Sequence, residues 1–187
     1  MSGKKFKIRP IRIETDFAYI LLTKGYEAKI DLCDIERVRD YNWCRSIAKY
    51  TQYACRVFYS KINNKWVGKN IYLHRFILDV EDDNLEVDHR DHNGLNCIRN
   101  NLRISTRNQN QQNQRGSLKH GYKGISFDKK AKKNPWEAHI EINKVGFYLG
   151  RYSDPILAAK AYDNAALKYF GEFACTNKSM GLFDEKN

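Results

Sequence analysis

The chain is poor in acidic residues, in proline and methionine, and in long apolar runs. Its 187 residues include three prolines and two methionines. The longest charge-free apolar run in the first third, Phe17 to Thr23, falls far short of the ~20 residues that a spanning helix requires. No membrane-spanning helix and no membrane partner are expected. The basic start, Met1 to Pro10, is followed by no apolar stretch, so it reads as a solvated arm that touches phosphate and not as a signal peptide. No Cys-x-x-Cys pair exists, which argues against a zinc ribbon. The five cysteines (Cys33, Cys44, Cys55, Cys97, Cys175) are odd in number and widely spaced. A disulfide framework is therefore not expected, and the reading is an intracellular protein of a reducing compartment (cytoplasm or nucleoid), not a secreted one.

What is abundant is positive charge. There are 33 Lys and Arg against 22 Asp and Glu, a net charge of +11. Such a chain calls for an anionic partner, and nucleic acid is the first candidate, with double-stranded DNA the expected partner once the motifs below are read and no small-molecule substrate expected. The charge is uneven. Residues 81–102 hold six acidic and two basic side chains, inside a chain that is basic on both sides. Phosphate repels carboxylates, so carboxylates on a DNA-facing surface are explained by a divalent cation that neutralises both. Glu81-Asp82-Asp83 reads as an acidic surface loop. Asp88 is the carboxylate singled out for that cation.

The first 80 residues read as strands and hairpins: Phe17 to Leu22, a turn at Thr23-Lys24-Gly25, then Tyr26 to Asp31. A short helix is predicted over Asp34 to Tyr41. Strands follow at Gln52 to Ser60 and Trp66 to Leu73, with a turn at 61–65. Thr106 to Gln114 is predicted as a polar helix capped by Ser105 or Thr106. Strands are predicted over 122–128, 135–142 and 145–150, with Asn143-Lys144 as a tight turn. Ser153-Asp154-Pro155 starts a helix that runs to about Phe170 and stops at Gly171, with Ala158, Tyr162, Ala165 and Tyr169 on one face.

The chemistry concentrates between Val87 and Asn110, a stretch that reads as strand, loop, strand, helix. Hydrolysis of a phosphodiester needs a base with pKa near ~6.5, a hard cation, and oxygen ligands for that cation. His89, Asp88 and Asn110 supply these parts. Strand neighbours point to opposite faces, so Asp88 and His89 serve one site only where the strand bends at its end.

The run Asp-His-x-Asp-x-Asn from Asp88, then Asn-Leu-Arg-x-x-Thr from Asn101, then Asn110, resembles the ββα-metal core of the HNH homing endonucleases. Tyr72-Leu73-His74-Arg75-Phe76-Ile77-Leu78 is similar to the Leu-His-Arg run that precedes that core. The likeness covers 70–115 strongly. It implies His89 as general base, Asp88 and Asn110 as ligands of one Mg²⁺ or Mn²⁺, and Asn93 and Asn101 as catalytic-loop braces that approach the phosphate. Asn110 replaces the final histidine of the family name, as in one branch of it, and His92 stands where that branch usually has glycine. His74 reads as structural, because Leu73, Phe76 and Ile77 surround it. The resemblance also implies phage or intron biology, a mobile element.

The C-terminal segments Tyr122 to Ser126, Trp136 to Ile140, Tyr148 to Tyr152, Ala158 to Ala166 and Phe170 to Asn177 are similar to the plant ethylene-response-factor (APETALA-two) DNA-binding domain. That likeness implies a three-stranded sheet in the major groove, backed by a helix. Lys123 and Gly124 keep its opening pair. Ser126, His139, Glu141, Gly146 and Tyr148 depart from its base-reading pattern, so the plant target sequence does not transfer. Phosphate contact is assigned to Arg103, Arg107, Arg115, Lys123, Gly124, Lys129, Lys130, Lys132, Lys133, Lys144 and Arg151.

The expected fold class is α+β: a β-rich N-terminal region leading into a ββα-metal HNH core, then a small three-stranded antiparallel sheet packed on one helix. The expected domains are 1–115, with the nuclease core at about 70–115, a linker at 116–121, and a DNA-binding domain at 122–187. The expected function is a metal-dependent, site-specific DNA endonuclease, monomer or homodimer. The alternative is a non-catalytic DNA-binding transcriptional regulator. An RNA-directed nuclease ranks third.

Overall fold

In the computed structural model, which describes residues 7–48 and 51–183, short antiparallel hairpins make up most of the first half. Most of the basic N-terminal tract lies outside the described residues. Strands β1 (Ile11–Ile13), β2 (Phe17–Leu21) and β3 (Glu27–Asp31) form a meander in that order. Ala18 and Ile20 on β2, and Ala28 and Ile30 on β3, are buried while their neighbours are less so, the period-two pattern of a strand with one covered face. Lys24 and Gly25 take positive φ in the connecting turn. Helix α1 (Ile35–Val38) is a single turn. Strands β4 (Cys44–Ile47), β5 (Gln52–Ile62) and β6 (Lys65–Tyr72) form a second sheet. Asn63 and Asn64 both adopt left-handed φ, 48° and 61°, the geometry of a two-residue hairpin turn.

Helix α2 (Leu73–Ile77) corrects the expectation that the preceding strand runs through Leu73. Leu73 and Ile77 stand four apart and are both fully buried, so helical spacing delivers both to the core. Strands β7 (Leu85–His89) and β8 (Leu102–Thr106) close the first half as an antiparallel pair. Trp43, Leu22, Ile30, Val38, Leu73 and Ile77 anchor one core, to which the first sheet, β5, α1, α2, β7 and β8 contribute. Trp43 is wholly buried, and its indole N–H donates to the Val38 carbonyl at 3.2 Å, so the ring is covered without stranding its polar atom.

The chain divides into two compact units, Met1–Thr106 and Arg107–Asn187, so residues 107–121 group with the second. That unit holds α3 (Arg107–Gln112), β9 (Ile125–Phe127), β10 (Trp136–Ile142), β11 (Val145–Tyr152) and α4 (Pro155–Phe170). The sheet order is β11-β10-β9, all antiparallel, with Asn143 and Lys144 as the left-handed turn pair. Asp154 caps α4 by accepting from the N–H groups of Ile156 (2.6 Å) and Leu157 (3.2 Å), and Pro155 follows it. Ala158, Tyr162 and Ala166 form a buried row against the sheet, where Ile140 meets Tyr162 and Ala166. Tyr169 is 51% exposed and stacks on Phe147, so it does not share the burial expected of that face.

The architecture is thus mixed, with several small antiparallel sheets and few helices. Among the described residues no helix is long and apolar enough to cross a membrane. All five cysteines are free thiols, with Cys44 opposite Cys55 across β4 and β5.

Candidate active site

The β7–β8 hairpin positions the first two candidate residues. Asp88 pairs with Arg103 across the hairpin, and His89 with Leu102. Both Asp88 and His89 are buried, at 4% and 5% exposure, at the end of β7 where Arg90 leaves the strand. Opposite residues of an antiparallel pair share a face, and Arg103 uses this: its Nε and a terminal nitrogen lie 2.7 Å and 2.6 Å from Asp88 Oδ2. Arg103 is therefore a buried partner of the carboxylate, 8% exposed, which corrects its expected place on the DNA-facing surface.

His89 sits in an aromatic pocket. The His74 ring meets it edge-on at 5.0 Å between centroids, and the Tyr53 ring lies at 5.8 Å. The Cys97 thiol, itself fully buried, is 4.0 Å from His89 Nε2. Burial pushes the His89 pKa down to about 4, against the opposing pull of Asp91 and Asp88. The imidazole is therefore neutral at pH 7, the form that accepts a proton. Burial also drives His74 down to about 3, helped by His89 and Arg75. Its Nδ1 is buried without a hydrogen-bond partner. Burial and the Asp88 charge together raise the Tyr53 phenol above its ordinary range.

The loop between β7 and β8 is held by its own amides. Asn101 Oδ1 accepts from the Asp91 N–H (3.1 Å), and its Nδ2 donates to Asp91 Oδ1 (2.9 Å) and to the Asn96 carbonyl (2.8 Å). Asn93 Oδ1 accepts from the Leu95 N–H at 3.1 Å. Burial works to raise the Asp91 carboxyl, yet hydrogen bonds from Asn96, the Asn93 N–H and Asn101 hold it below the ordinary carboxylate range. His92 has φ 65°, a left-handed conformation that explains why glycine suits that position. The loop is also stitched to the scaffold. The Leu95 carbonyl accepts from Lys29 N–H, and the Cys97 N–H donates to the Lys29 carbonyl, both at 2.8 Å. Gly94 lies against β5 so closely that a Cβ would stand 2.3 Å from the Gln52 carbonyl oxygen. Arg99 ties the loop's end to the wholly buried Asp34 at 2.6 Å.

Within the second unit, Asn110 lies half-buried on α3. Lys123 is half-buried, and its Nζ donates to the Gln114 carbonyl at 2.5 Å. Its backbone binds the buried Asn177 in both directions. Gly124, at φ 79°, is required by packing, because a Cβ would come within 1.9 Å of the Tyr162 ring. Arg151 pairs with Asp128 (2.8 Å) and Glu137 (2.5 Å). Each of these three has a role inside the unit. Arg107, Arg115, Lys129, Lys130, Lys132, Lys133 and Lys144 are exposed.

Sequence reasoning missed Tyr53 and the His74–His89 contact, for which no local signal exists. The Asp88–Arg103 pair was within reach, since aligning His89 with Leu102 in a hairpin sets Asp88 opposite Arg103.

For a divalent cation the donors fit an open site only. Among the described residues no group of three or more His, Cys, Asp or Glu could hold a metal. Asp88 is one buried carboxylate, and Mg²⁺ accepts such a sparse set when water and substrate phosphate complete its shell.

A protein described as uncharacterized HNH endonuclease L560, from Acanthamoeba polyphaga mimivirus, is similar to this chain. The two are 36% identical over 117 residues, which is 60% of this chain and 59% of the relative. The chain thus spans under two thirds of that relative. No protein-family model matches the chain, and no solved structure matches it.

Proposed function

We propose that the chain is a metal-dependent, site-specific DNA endonuclease of the HNH homing type. The observation that carries this reading is the buried Asp88-His89 pair at the end of β7, with a neutral imidazole beside a carboxylate. The similarity to a protein named as an HNH endonuclease supports it. Asp88 would hold the cation, with water and substrate phosphate completing its shell. A bound Mg²⁺ or Mn²⁺ would offset charge on the phosphate and on the leaving 3′ oxygen.

The remaining steps fall to this chain's own groups. His89, held neutral by burial, takes the proton from the attacking water. Asp88 and Asp91 stabilise the imidazolium that results. His74 and Tyr53 hold the ring by packing. Asn101 and Asp91 fix the loop that follows it.

The test is relaxation of supercoiled plasmid with Mg²⁺ or Mn²⁺. His89→Ala is expected to lower nicking roughly 10²–10⁴-fold while DNA binding stays nearly unchanged. Equal loss of both would overturn the assignment. One observation favours a second reading, a non-catalytic DNA-binding regulator: Arg103 already satisfies Asp88 Oδ2, as a purely structural pair would. Wild-type protein that shifts DNA on a gel but never nicks it would decide for that reading.

A further inference from the structure

We propose that the β5–β6 hairpin is a DNA-docking arm that enters the major groove and delivers the duplex to the Asp88-His89 site. Its partner is duplex DNA, so it rests on the nuclease reading for where the arm leads, though not for whether the arm binds.

The first observation is that the hairpin, beyond Ala54 and Cys55 at its root, has no core to serve. Strand β4 covers β5 only over Gln52–Cys55. Beyond that the ribbon is two-stranded, with Arg56 paired to Ile71 at one end and Ile62 to Lys65 at the other. Every residue from Lys61 to Asn70 is exposed. A two-stranded hairpin in water is marginal by itself, so a long one built without a covering layer calls for an explanation.

The second observation is what the ribbon displays. Val57, Phe58, Tyr59, Ile62, Trp66 and Val67 are 45–71% exposed. By register, Phe58, Ile62 and Val67 share one face, and Val57, Tyr59 and Trp66 share the other. Both faces thus carry exposed apolar side chains. Such a surface marks an interaction site.

The third observation selects the partner. Between Gln52 and Tyr72 there is no acidic residue, while Arg56, Lys61, Lys65 and Lys69 are all cationic. Arg56 is used internally, stacked 4.0 Å over the Tyr41 ring. The three lysines are exposed and interleaved with the aromatic side chains. Lysine on a strand edge can serve merely to block edge-to-edge pairing. A guard of that kind gains nothing from an exposed Trp66 beside the turn. Protein interfaces are depleted of lysine, whereas cations interleaved with aromatic rings suit phosphate and base edges. The dimensions agree. Two strands ~4.8 Å apart fit a major groove ~12 Å wide, and the eight residues of β6 span about 26 Å, close to eight base pairs.

The fourth observation ties the arm to the site. The ribbon is rooted in the pocket around His89: Tyr53 of β5 lies 5.8 Å from the His89 ring, and Tyr72 of β6 stacks on His74 at 5.5 Å and 17°. A duplex gripped by the arm is led toward the imidazole.

The test uses the full-length chain in a His89→Ala background, with a random-sequence duplex pool as probe. Lys61→Ala, Lys65→Ala and Lys69→Ala combined are expected to weaken binding by roughly tenfold or more. They should also cut the slope of log affinity against log salt by about 0.9 for each lysine. Trp66→Ala is expected to weaken binding without changing that slope. Duplex carrying glucosylated hydroxymethylcytosine, which fills the major groove, should lose the arm-dependent affinity, and distamycin in the minor groove should not remove it. All substituted side chains are exposed, so unchanged circular dichroism confirms the fold. Unchanged affinity and slope would overturn the proposal, as would loss with distamycin alone. Variants that instead convert a dimer to a monomer, with DNA affinity intact, would overturn it in favour of contact between copies. Plasmid assays with His89 intact separate the two readings. Arm-dependent binding with no nicking sustains the arm and sinks the nuclease. Nicking and binding unaffected by the arm variants do the reverse.

Discussion

His74 and His89 face each other edge-on in a pocket whose burial disfavours the charged form of either. Burial holds both imidazoles neutral, His74 down to about 3 and His89 down to about 4. In the unfolded chain a histidine titrates near ~6.5. Below that value the unfolded state binds protons that the folded state refuses, so stability falls as pH drops from about 6.5 through the folded-state values. Each such histidine contributes up to about 1.4 kcal/mol per pH unit across that window. His74→Phe keeps a ring against Tyr72 and removes one titrating group. It is expected to flatten the decline by about that amount, read from urea midpoints between pH 7 and pH 4.5. A decline as steep as in the wild type would show that His74 is already solvated. Sequence reading singled out His89 and Asp88 from their chemistry and the motif they stand in, and took His74 as structural from its apolar neighbours. It could not find their contact, because α2 and β7 are separate elements that only the shared core brings together.

At the scale of elements, the loop between β7 and β8 is the part whose order matters to the site. Asn101 is buried and makes three hydrogen bonds that cross the loop. Removing its amide takes a partner from the Asp91 N–H, the Asp91 carboxylate and the Asn96 carbonyl; Asp91 is exposed and Asn96 half-buried, so water replaces part of what is lost. Asn101→Ala is expected to lower stability by about 1–3 kcal/mol and to reduce nicking, while DNA affinity holds. Unchanged nicking in a destabilised protein would separate the loop from the chemistry. Two hairpins, one in each unit, were legible because their turns carry the required residues. Asn143-Lys144 and Asn63-Asn64 supply left-handed φ between runs of strand formers. Strands β1 and β4 were not legible. Each has three or four residues, and the intermediate burial of Cys44, Arg45 and Ser46 gives no alternation to read. Leu73 was read as the end of a strand because one apolar residue fits either period, and only burial of both Leu73 and Ile77 decides.

At the scale of the whole molecule, the apolar residues fall into two separate clusters, one drawn from Ile11 to Leu102 and the other from Ile140 to Ala174. Independent cores imply independent cooperativity, so calorimetry is expected to show two transitions. Gly124 offers a way to move only one. A Cβ there meets the Tyr162 ring at 1.9 Å, and φ of 79° is a conformation alanine resists. Gly124→Ala combines overpacking with backbone strain, together of order 3 kcal/mol. For a unit of this size that lowers its midpoint by roughly 10–20 °C, while the other transition stays in place. Gly146→Ala, where nothing stands within 4 Å of the added Cβ, is the matched control and should leave both transitions alone. If one transition moved as a whole under Gly124→Ala, the two clusters would be melting as a single cooperative body. The sequence placed a boundary between these cores because residues 106–120 carry almost no apolar side chain. It set that boundary by composition at 116–121, whereas contacts draw the division at Thr106/Arg107, where α3 begins. Polar residues with no core of their own take their unit from whatever backbone they pack against. Lys123, whose Nζ reaches the Gln112 and Gln114 carbonyls, is part of what holds that segment to the second unit. Lys123→Met is then expected to loosen residues 112–116, read as faster amide exchange there, with the exchange of β7 and β8 unchanged.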